Sequence, residues 1–310
     1  MFALFAAMYL GWTLGANDTA NVFGTGVASE LITYRVATFL TAVFVIIGAA
    51  IEGPKVMNTI GGLTSFVSRT AFVAVLAAAM TVTLMTCLKL PVSTSQAIVG
   101  AIVGVALATG GLGGVPGGKL LKMVLCWIFT PLGAAVISIL LFIILAPIVN
   151  KVIESFLTFA LLMRVGTVAV GCYGAYTLGA NNVANVTGAF VGANLFSPLE
   201  AALIGGAAIA IGAITYSRGV MISVGRKIFP LGPFSAFVAV LAAALTLQIF
   251  TELKVPVSNS QAIVGSVAGI GLLRGTKAIN KKMLFSVFSG WITTPILAGI
   301  ISFLFCLQGL

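Results

Sequence analysis

Seven stretches of this chain carry no charged side chain: Thr70–Leu88, Leu90–Gly118, Met123–Asn150, Val165–Leu199, Ile228–Thr251, Val255–Leu273 and Met283–Leu310. Each approaches or exceeds the ~18–20 apolar residues that take a helix across hydrocarbon. Backbone polar groups find no water at that depth, so only helices or closed barrels can span it. The runs are rich in Leu, Ile, Ala, Gly and Phe and lack the period-two alternation of a barrel. The expectation is an all-α polytopic membrane protein of about ten segments, with no room for a soluble domain. Charged residues make up 7% of the chain, against roughly 25% in soluble domains.

The net charge of +10 does not point to nucleic acid, because the sixteen Lys and Arg stand singly or in pairs between apolar runs. Such loop charges orient a chain and touch lipid headgroups. Cys87, Cys126, Cys172 and Cys306 all lie in apolar runs and read as small core residues, neither disulfides nor metal ligands. The chain has no histidine, and no nucleophile stands beside a base. That argues against an enzyme, and no cofactor is expected. Met1–Leu14 lacks the basic start and cleavage site of a signal peptide.

The chain repeats itself. Gly15–Gly24 (GANDTANVFG) matches Gly179–Gly188 (GANNVANVTG) at seven of ten positions. Ala71–Ala79 and Ala236–Ala244 are both AFVAVLAAA, and Lys89–Gly100 (KLPVSTSQAIVG) matches Lys254–Gly265 (KVPVSNSQAIVG) at ten of twelve. Trp127–Pro131 returns as Trp291–Pro295, and every offset is 164 or 165 residues. Two homologous halves follow, Met1–Asn150 and Lys151–Leu310. Secondary transporters are commonly built this way, with the site where the halves meet. The first half has only fourteen residues ahead of Gly15, so it either starts with a short half-helix or lacks part of one.

Polar residues within apolar spans mark function, and here they form two motif pairs. Gly15-Ala16-Asn17-Asp18-Thr19-Ala20-Asn21 pairs with Gly179-Ala180-Asn181-Asn182-Val183-Ala184-Asn185. Gly frees the backbone, while Asn and Asp favour caps and turns. The reading is a helix that unwinds at Gly15 and restarts at Asp18 or Thr19, and again at Gly179. Freed carbonyls would then serve a cation and the restarted helix an anion. Pro91-Val92-Ser93-Thr94-Ser95-Gln96 pairs with Pro256-Val257-Ser258-Asn259-Ser260-Gln261. Pro ends the preceding segment. Ser93 with Gln96, and Ser258 with Gln261, have capping-box spacing, so a new helix begins there with free N–H groups and hydroxyls. Simple capping leaves Thr94, Ser95, Asn259 and Ser260 unexplained.

Four helix N-termini would then converge on a tetrahedral oxyanion. The motifs contain no Arg, so co-bound cations are the natural balance for its charge. Asp18 is the only carboxylate among the four motifs. Oxygen ligands suit sodium, whereas a proton couple needs a titratable carrier and only Asp18 offers one. Lys89 and Lys254 also match between halves and read as interfacial lysines. Glu52 reads as a helix-end residue near Lys55, and Trp127 and Trp291 as interfacial anchors.

With these motifs in order and in duplicate, the chain resembles the inorganic phosphate transporter (PiT) family over essentially its whole length. GANDTANVFGT from Gly15 looks like the family signature, and GANNVANVTG from Gly179 is similar to its second copy. The resemblance implies secondary transport of inorganic phosphate into cells across the plasma membrane, driven by sodium or, in some bacterial members, by protons. It also implies inverted-topology halves, broken or re-entrant helices around the substrate, and a homodimer. Some relatives carry sulfate or a metal–phosphate complex. Carried over by position, phosphate ligands would be Asp18, Thr19, Asn21, Ser93, Thr94, Ser95, Asn185, Ser258, Asn259 and Ser260. Sodium ligands would be Asn17, Asp18, Gln96, Asn181, Asn182 and Gln261. The chain departs from the family at Asn182, often Asp in relatives, so a matched pair of cation sites does not follow. It departs again after Phe44, where Val45 replaces a frequent Glu. Matching loops are basic in both halves: Lys55 and Arg69 against Arg218, Arg226 and Lys227, and Lys119 and Lys122 against Arg274, Lys277, Lys281 and Lys282. Inverted halves put matching loops on opposite sides, so charge alone does not orient the chain. Re-entrant hairpins that do not cross, or a further crossing within Met123–Arg164, would change the parity. The rival readings are a proton-coupled phosphate carrier, a sulfate carrier and an anion channel.

Overall fold

The structure, a computed structural model, describes residues 1–88, 92–152, 155–223, 231–274 and 281–308. Lys89, Pro91, Arg226, Lys227 and Lys277 fall outside the described residues, and with them the readings placed on those side chains. The regular elements described are helical. They are α1 (Phe2–Ala28), α2 (Tyr34–Gly61), α3 (Ser68–Cys87), α4 (Thr94–Gly110), α5 (Gly117–Val152) and α6 (Phe156–Gly192). After them come α7 (Pro198–Tyr216), α8 (Arg218–Ser223), α9 (Pro233–Glu252), α10 (Asn259–Arg274) and α11 (Lys281–Leu307). Local chemistry sets several starts. Ser197 accepts from the Glu200 N–H, the Glu200 carboxylate accepts from the Ser197 N–H at 2.9 Å, and Pro198 opens α7. Ser155 caps α6 in the same manner, accepting from the Thr158 N–H at 3.1 Å.

Among the described residues eight helices are long and apolar enough to cross a bilayer, and the chain is an integral, multi-pass membrane protein. Helix α1 is not one of the eight; it carries Asn17, Asp18 and Asn21.

The sequence repeat is also a repeat of elements: α1–α5 correspond in order to α6, α7 with α8, α9, α10 and α11. The two sets interlock. Helix α1 packs on α7 and α2 on α6, while α4 packs on α11 and α5 on α10. Each half thus completes the other. Small residues allow the close crossings, as is usual where lipid supplies no hydrophobic drive between helices. A Cβ added to Gly100 would overlap the Pro295 backbone, and one on Gly265 the Pro131 backbone. Ala71, Ala74, Ala77, Ala78 and Ala79 of α3 are wholly buried.

Two expectations need correction. Helices α1 and α6 do not unwind at the signatures; both continue through Gly15 and Gly179. The glycines serve proximity instead. A Cβ at Gly15 would lie 2.8 Å from Ile209 C and 3.0 Å from Ala213 N of α7, and one at Gly179 would lie 2.8 Å from Val45 C of α2. Because α1 does not stop at Gly15, it runs on through the signature over 27 residues and is not a short half-helix. Only α4 and α10 begin at the motifs, so two helix N-termini meet there, not four.

The breaks that do exist lie between α3 and α4 and between α9 and α10. Thr86, at the end of α3, accepts from Asn17 halfway along α1. Lys119, at the start of α5, donates to the carbonyl of Gly62, just past the end of α2. The α3–α4 connection therefore lies beside the middle of α1, and the start of α5 lies beside the end of α2. Irregular backbone at that depth is tolerated only where protein or a cavity surrounds it.

Candidate substrate-binding site

The signature helices and the hairpin tips meet in two clusters built across the halves. In one, α1 meets α10. Asp18 Oδ1 accepts from Asn21 Nδ2 at 3.2 Å and from Ser260 Oγ at 3.2 Å. Asn21 Nδ2 lies 3.1 Å from Ser260 Oγ, and Asn259 Nδ2 donates to the Asp18 carbonyl at 3.3 Å. In the other cluster α6 meets α4. Asn182 Oδ1 accepts from Asn185 Nδ2 at 3.0 Å and lies 3.3 Å from Ser95 Oγ. Asn185 Nδ2 donates to Ser95 Oγ at 2.8 Å. These triads, Asp18–Asn21–Ser260 and Asn182–Asn185–Ser95, occupy corresponding positions of the repeat with the partners exchanged between halves.

The tips are held by a second matched pair. Asn17 Nδ2 donates to Thr86 at 3.3 Å, and Asn181 Nδ2 donates to Thr251 at 3.0 Å. Asn181 does more than Asn17: its Nδ2 also reaches the Val255 carbonyl at 3.0 Å, and its Oδ1 accepts from the Val257 N–H at 2.8 Å. It clamps the α9–α10 tip to α6. Sequence reading missed Thr86 and Thr251, although their spacing of 165 residues was a legible signal.

Capping occurs where the spacing predicts it. Ser93 Oγ accepts from the Gln96 N–H and Ser258 Oγ from the Gln261 N–H, both at 3.3 Å. Ser93, Thr94, Gln96, Ser258, Asn259 and Gln261 are all buried. Thr19 is buried too, and its hydroxyl donates back to the Gly15 carbonyl at 2.5 Å. Asn17, Asn21 and Ser260 are half-buried, whereas Asn181, Asn182, Asn185 and Ser95 are enclosed. The Asp18 cluster is therefore the more accessible of the two.

Several buried atoms at these tips have no hydrogen-bond partner among the described residues: Thr94 Oγ1, Gln96 Oε1, Gln261 Oε1, Asn182 Nδ2 and Asn185 Oδ1. Buried polar atoms are rarely left unpaired in proteins, and five around one pair of tips describe a site with donors and acceptors to offer. The ion pairs among the described residues join Lys55 to Glu52 and Glu252; neither involves Asp18. A buried carboxylate without a cationic side chain calls for a bound cation or a proton.

A further polar network lies outside the motifs. Glu52 sits inside α2, not at a helix end, and accepts from Tyr176 Oη at 2.7 Å and Gln248 Nε2 at 2.8 Å. Lys55 stands 3.0 Å from Glu252 and 3.6 Å from Glu52. The corresponding place in the other half holds Trp12 packed against Tyr216, with ring centroids 5.4 Å apart. Lys254 is exposed, in keeping with an interfacial lysine. Trp291 is buried and packs against Phe288 at 5.0 Å, so it is a core residue and not an anchor at the interface.

Comparison with known proteins gives a consistent result. The model of the phosphate transporter family matches residues 14–302. A relative from Methanocaldococcus jannaschii, provisionally named a phosphate permease, is 31% identical over 301 residues, covering 97% of this chain and 95% of that one. The sulfate permease CysP of Bacillus subtilis is 30% identical over 313 residues, covering 98% and 85%. The solved structure titled "The sodium-dependent phosphate transporter" superposes with a TM-score of 0.85 over 99% of this chain and 98% of that one, at 23% identity. A likeness at that identity shows a common fold.

Proposed function

The chain belongs to the phosphate transporter family, and from that premise we propose that it is a sodium-coupled symporter of inorganic phosphate working by alternating access in the plasma membrane. It is a transporter and not an enzyme. The observation that carries the proposal is the reciprocal pair of triads, with unpaired buried donors and acceptors around the α3–α4 and α9–α10 turns. Thr94, Ser95, Asn185, Asn259 and Ser260 supply the polar lining for an oxyanion. Asp18, Gln96 and Gln261 supply oxygen for sodium. Sodium at Asp18 offsets the anion's charge, so each raises the affinity of the other by the same factor. Inverted halves belong to the same proposal: an odd number of crossings per half would invert the second half relative to the first. We also propose a homodimer, to be checked by cross-linking in native membranes.

The test is uptake of radiolabelled phosphate into proteoliposomes at fixed pH and clamped voltage, with an inward sodium or an equal potassium gradient. Accumulation above equilibrium with sodium alone is expected. Accumulation driven by a pH gradient instead would make the carrier proton-coupled, and flux that no gradient concentrates would make it a channel. The 30% identity to a sulfate permease favours sulfate as the second substrate reading, and sulfate competes in the same assay.

A further inference from the structure

The two triads are alike in arrangement and unequal in chemistry. Asp18 and Asn182 stand at the same position of the repeat. Each Oδ1 accepts from an Asn three residues on (3.2 Å and 3.0 Å) and lies beside a hairpin Ser of the other half (3.2 Å and 3.3 Å). The second atom of each terminal group is left over. In the first half that atom is a carboxylate oxygen. In the second it is Asn182 Nδ2, which is buried and has no partner among the described residues.

The hydrogen-bond network fixes which way these amides point. Ser95 Oγ donates its one proton to the Val257 carbonyl at 2.9 Å. It must then accept from its neighbour at 2.8 Å, so that neighbour is Asn185 Nδ2. The other hydrogen of Nδ2 faces Asn182 at 3.0 Å, where only an oxygen can receive it. Asn182 therefore presents oxygen to Asn185 and leaves its NH₂ free, while Asn185 leaves its oxygen free. Asn185 Oδ1 is also unpartnered among the described residues, and Asn185 is fully enclosed. Two linked amides thus present one free donor and one free acceptor.

That combination matches one class of oxyanion. Near neutral pH, monohydrogen phosphate offers acceptor oxygens and one hydroxyl, whereas sulfate offers acceptors only. We propose that the Asn182–Asn185 pair reads the proton on the anion: Asn182 Nδ2 donates to an anion oxygen, and Asn185 Oδ1 accepts from its hydroxyl. Asn182 then serves the anion and not sodium, and selection of phosphate over sulfate resides in the neutral half of the site. A site built to bond a substrate hydroxyl discriminates strongly against an analogue that lacks it, because a buried polar group is otherwise left unpaired. The inference rests on the phosphate reading above.

The experiment measures binding of inorganic phosphate and of sulfate to the purified full-length protein, and the sodium dependence of each, for wild type, Asn185→Ala and Asn182→Ala. Asn185→Ala is expected to weaken phosphate about tenfold or more relative to sulfate, lowering the selectivity ratio by that factor. A merely structural role for Asn185 would weaken both anions alike and leave the ratio unmoved. Asn182→Ala is expected to weaken both anions about tenfold while the sodium dependence stays as in wild type; it also decides the matter if Asn185→Ala does not fold. An unmoved ratio in Asn185→Ala, or an Asn182→Ala protein altered in sodium affinity but not in anion affinity, overturns the inference and leaves the phosphate reading standing. A wild type that prefers sulfate sinks both.

Discussion

Replacing Gly15 or Gly179 by Ala separates two uses of glycine that make opposite predictions. In an uninterrupted helix with open space around it, Gly→Ala stabilises by about 0.8–1.0 kcal/mol. In this protein both positions face backbone of another helix. A Cβ at Gly15 would sit 2.8 Å from Ile209 C and 3.0 Å from Ala213 N, and one at Gly179 would sit 2.8 Å from Val45 C, where ordinary contact begins at 3.4 Å. The partner helix must retreat by at least about 0.6 Å in each case, and backbone has no rotamer with which to yield. Overpacking of this kind costs about 1–3 kcal/mol. Against the gain in propensity the net loss is about 0–2 kcal/mol per site, and the sites, in different helix pairs, should add to about 0–4 kcal/mol. Gly133 is the control: it lies within α5 and a Cβ there meets nothing within 4 Å. Gly133→Ala should raise stability slightly, so the two classes of variant should move apart by about 1–3 kcal/mol. The assay is thermal unfolding of purified protein in one detergent at one scan rate, followed by tryptophan fluorescence. If Gly15→Ala and Gly179→Ala raise the midpoint as Gly133→Ala does, α1 and α6 do not cross α7 and α2 at this distance, and the interlocked packing is wrong.

Three further outcomes follow from the same geometry. Asn185→Ala removes two bonds from an enclosed side chain and should cost about 2–3 kcal/mol, whereas Asn21→Ala, half-buried at the matching place, should cost about 1 kcal/mol; equal losses in the same melting assay would contradict the difference in enclosure. Tyr176→Phe takes a bond from Glu52, whose side chain is 13% exposed, and should cost about 1.5–3 kcal/mol. Lys55→Met breaks pairs whose cation is 40% exposed, and should cost less, about 0–1 kcal/mol. If the α3–α4 pair is re-entrant, cysteines placed at Ser65 and Gly113, both exposed, in a background lacking the native four will react with an impermeant thiol reagent from the same side of the membrane. Labelling from opposite sides would require α3–α4 to cross.

Much of this was legible without coordinates because it is local or periodic. Uncharged runs forced helices, since hydrocarbon leaves backbone groups no other partner. The 164–165-residue offsets paired the elements of one half with those of the other. Capping at Ser93 and Ser258 was readable because an N-cap acts within one turn of its own residue. The side chains of both triads lay in the two motif pairs for the same reason: in an apolar chain, polar residues at mid-span are few.

Tertiary structure decided the rest. A glycine in a signature permits unwinding and permits close approach, and the local sequence is the same for both. Only the carbonyl of Ile209 or Val45 lying against it shows that α1 and α6 stay helical and press on α7 and α2. The exchange of partners between halves, Ser260 with Asp18 and Ser95 with Asn182, joins residues far apart in the chain through contacts that no periodicity records. The Glu52–Tyr176–Gln248 network escaped the repeat because its counterpart is aromatic. Sequence determined which groups the chain brings to mid-depth, because hydrophobicity and repetition are carried residue by residue. The fold determined which of those groups bond one another and which atoms are left free for a ligand, because that depends on distances between helices that meet only after folding.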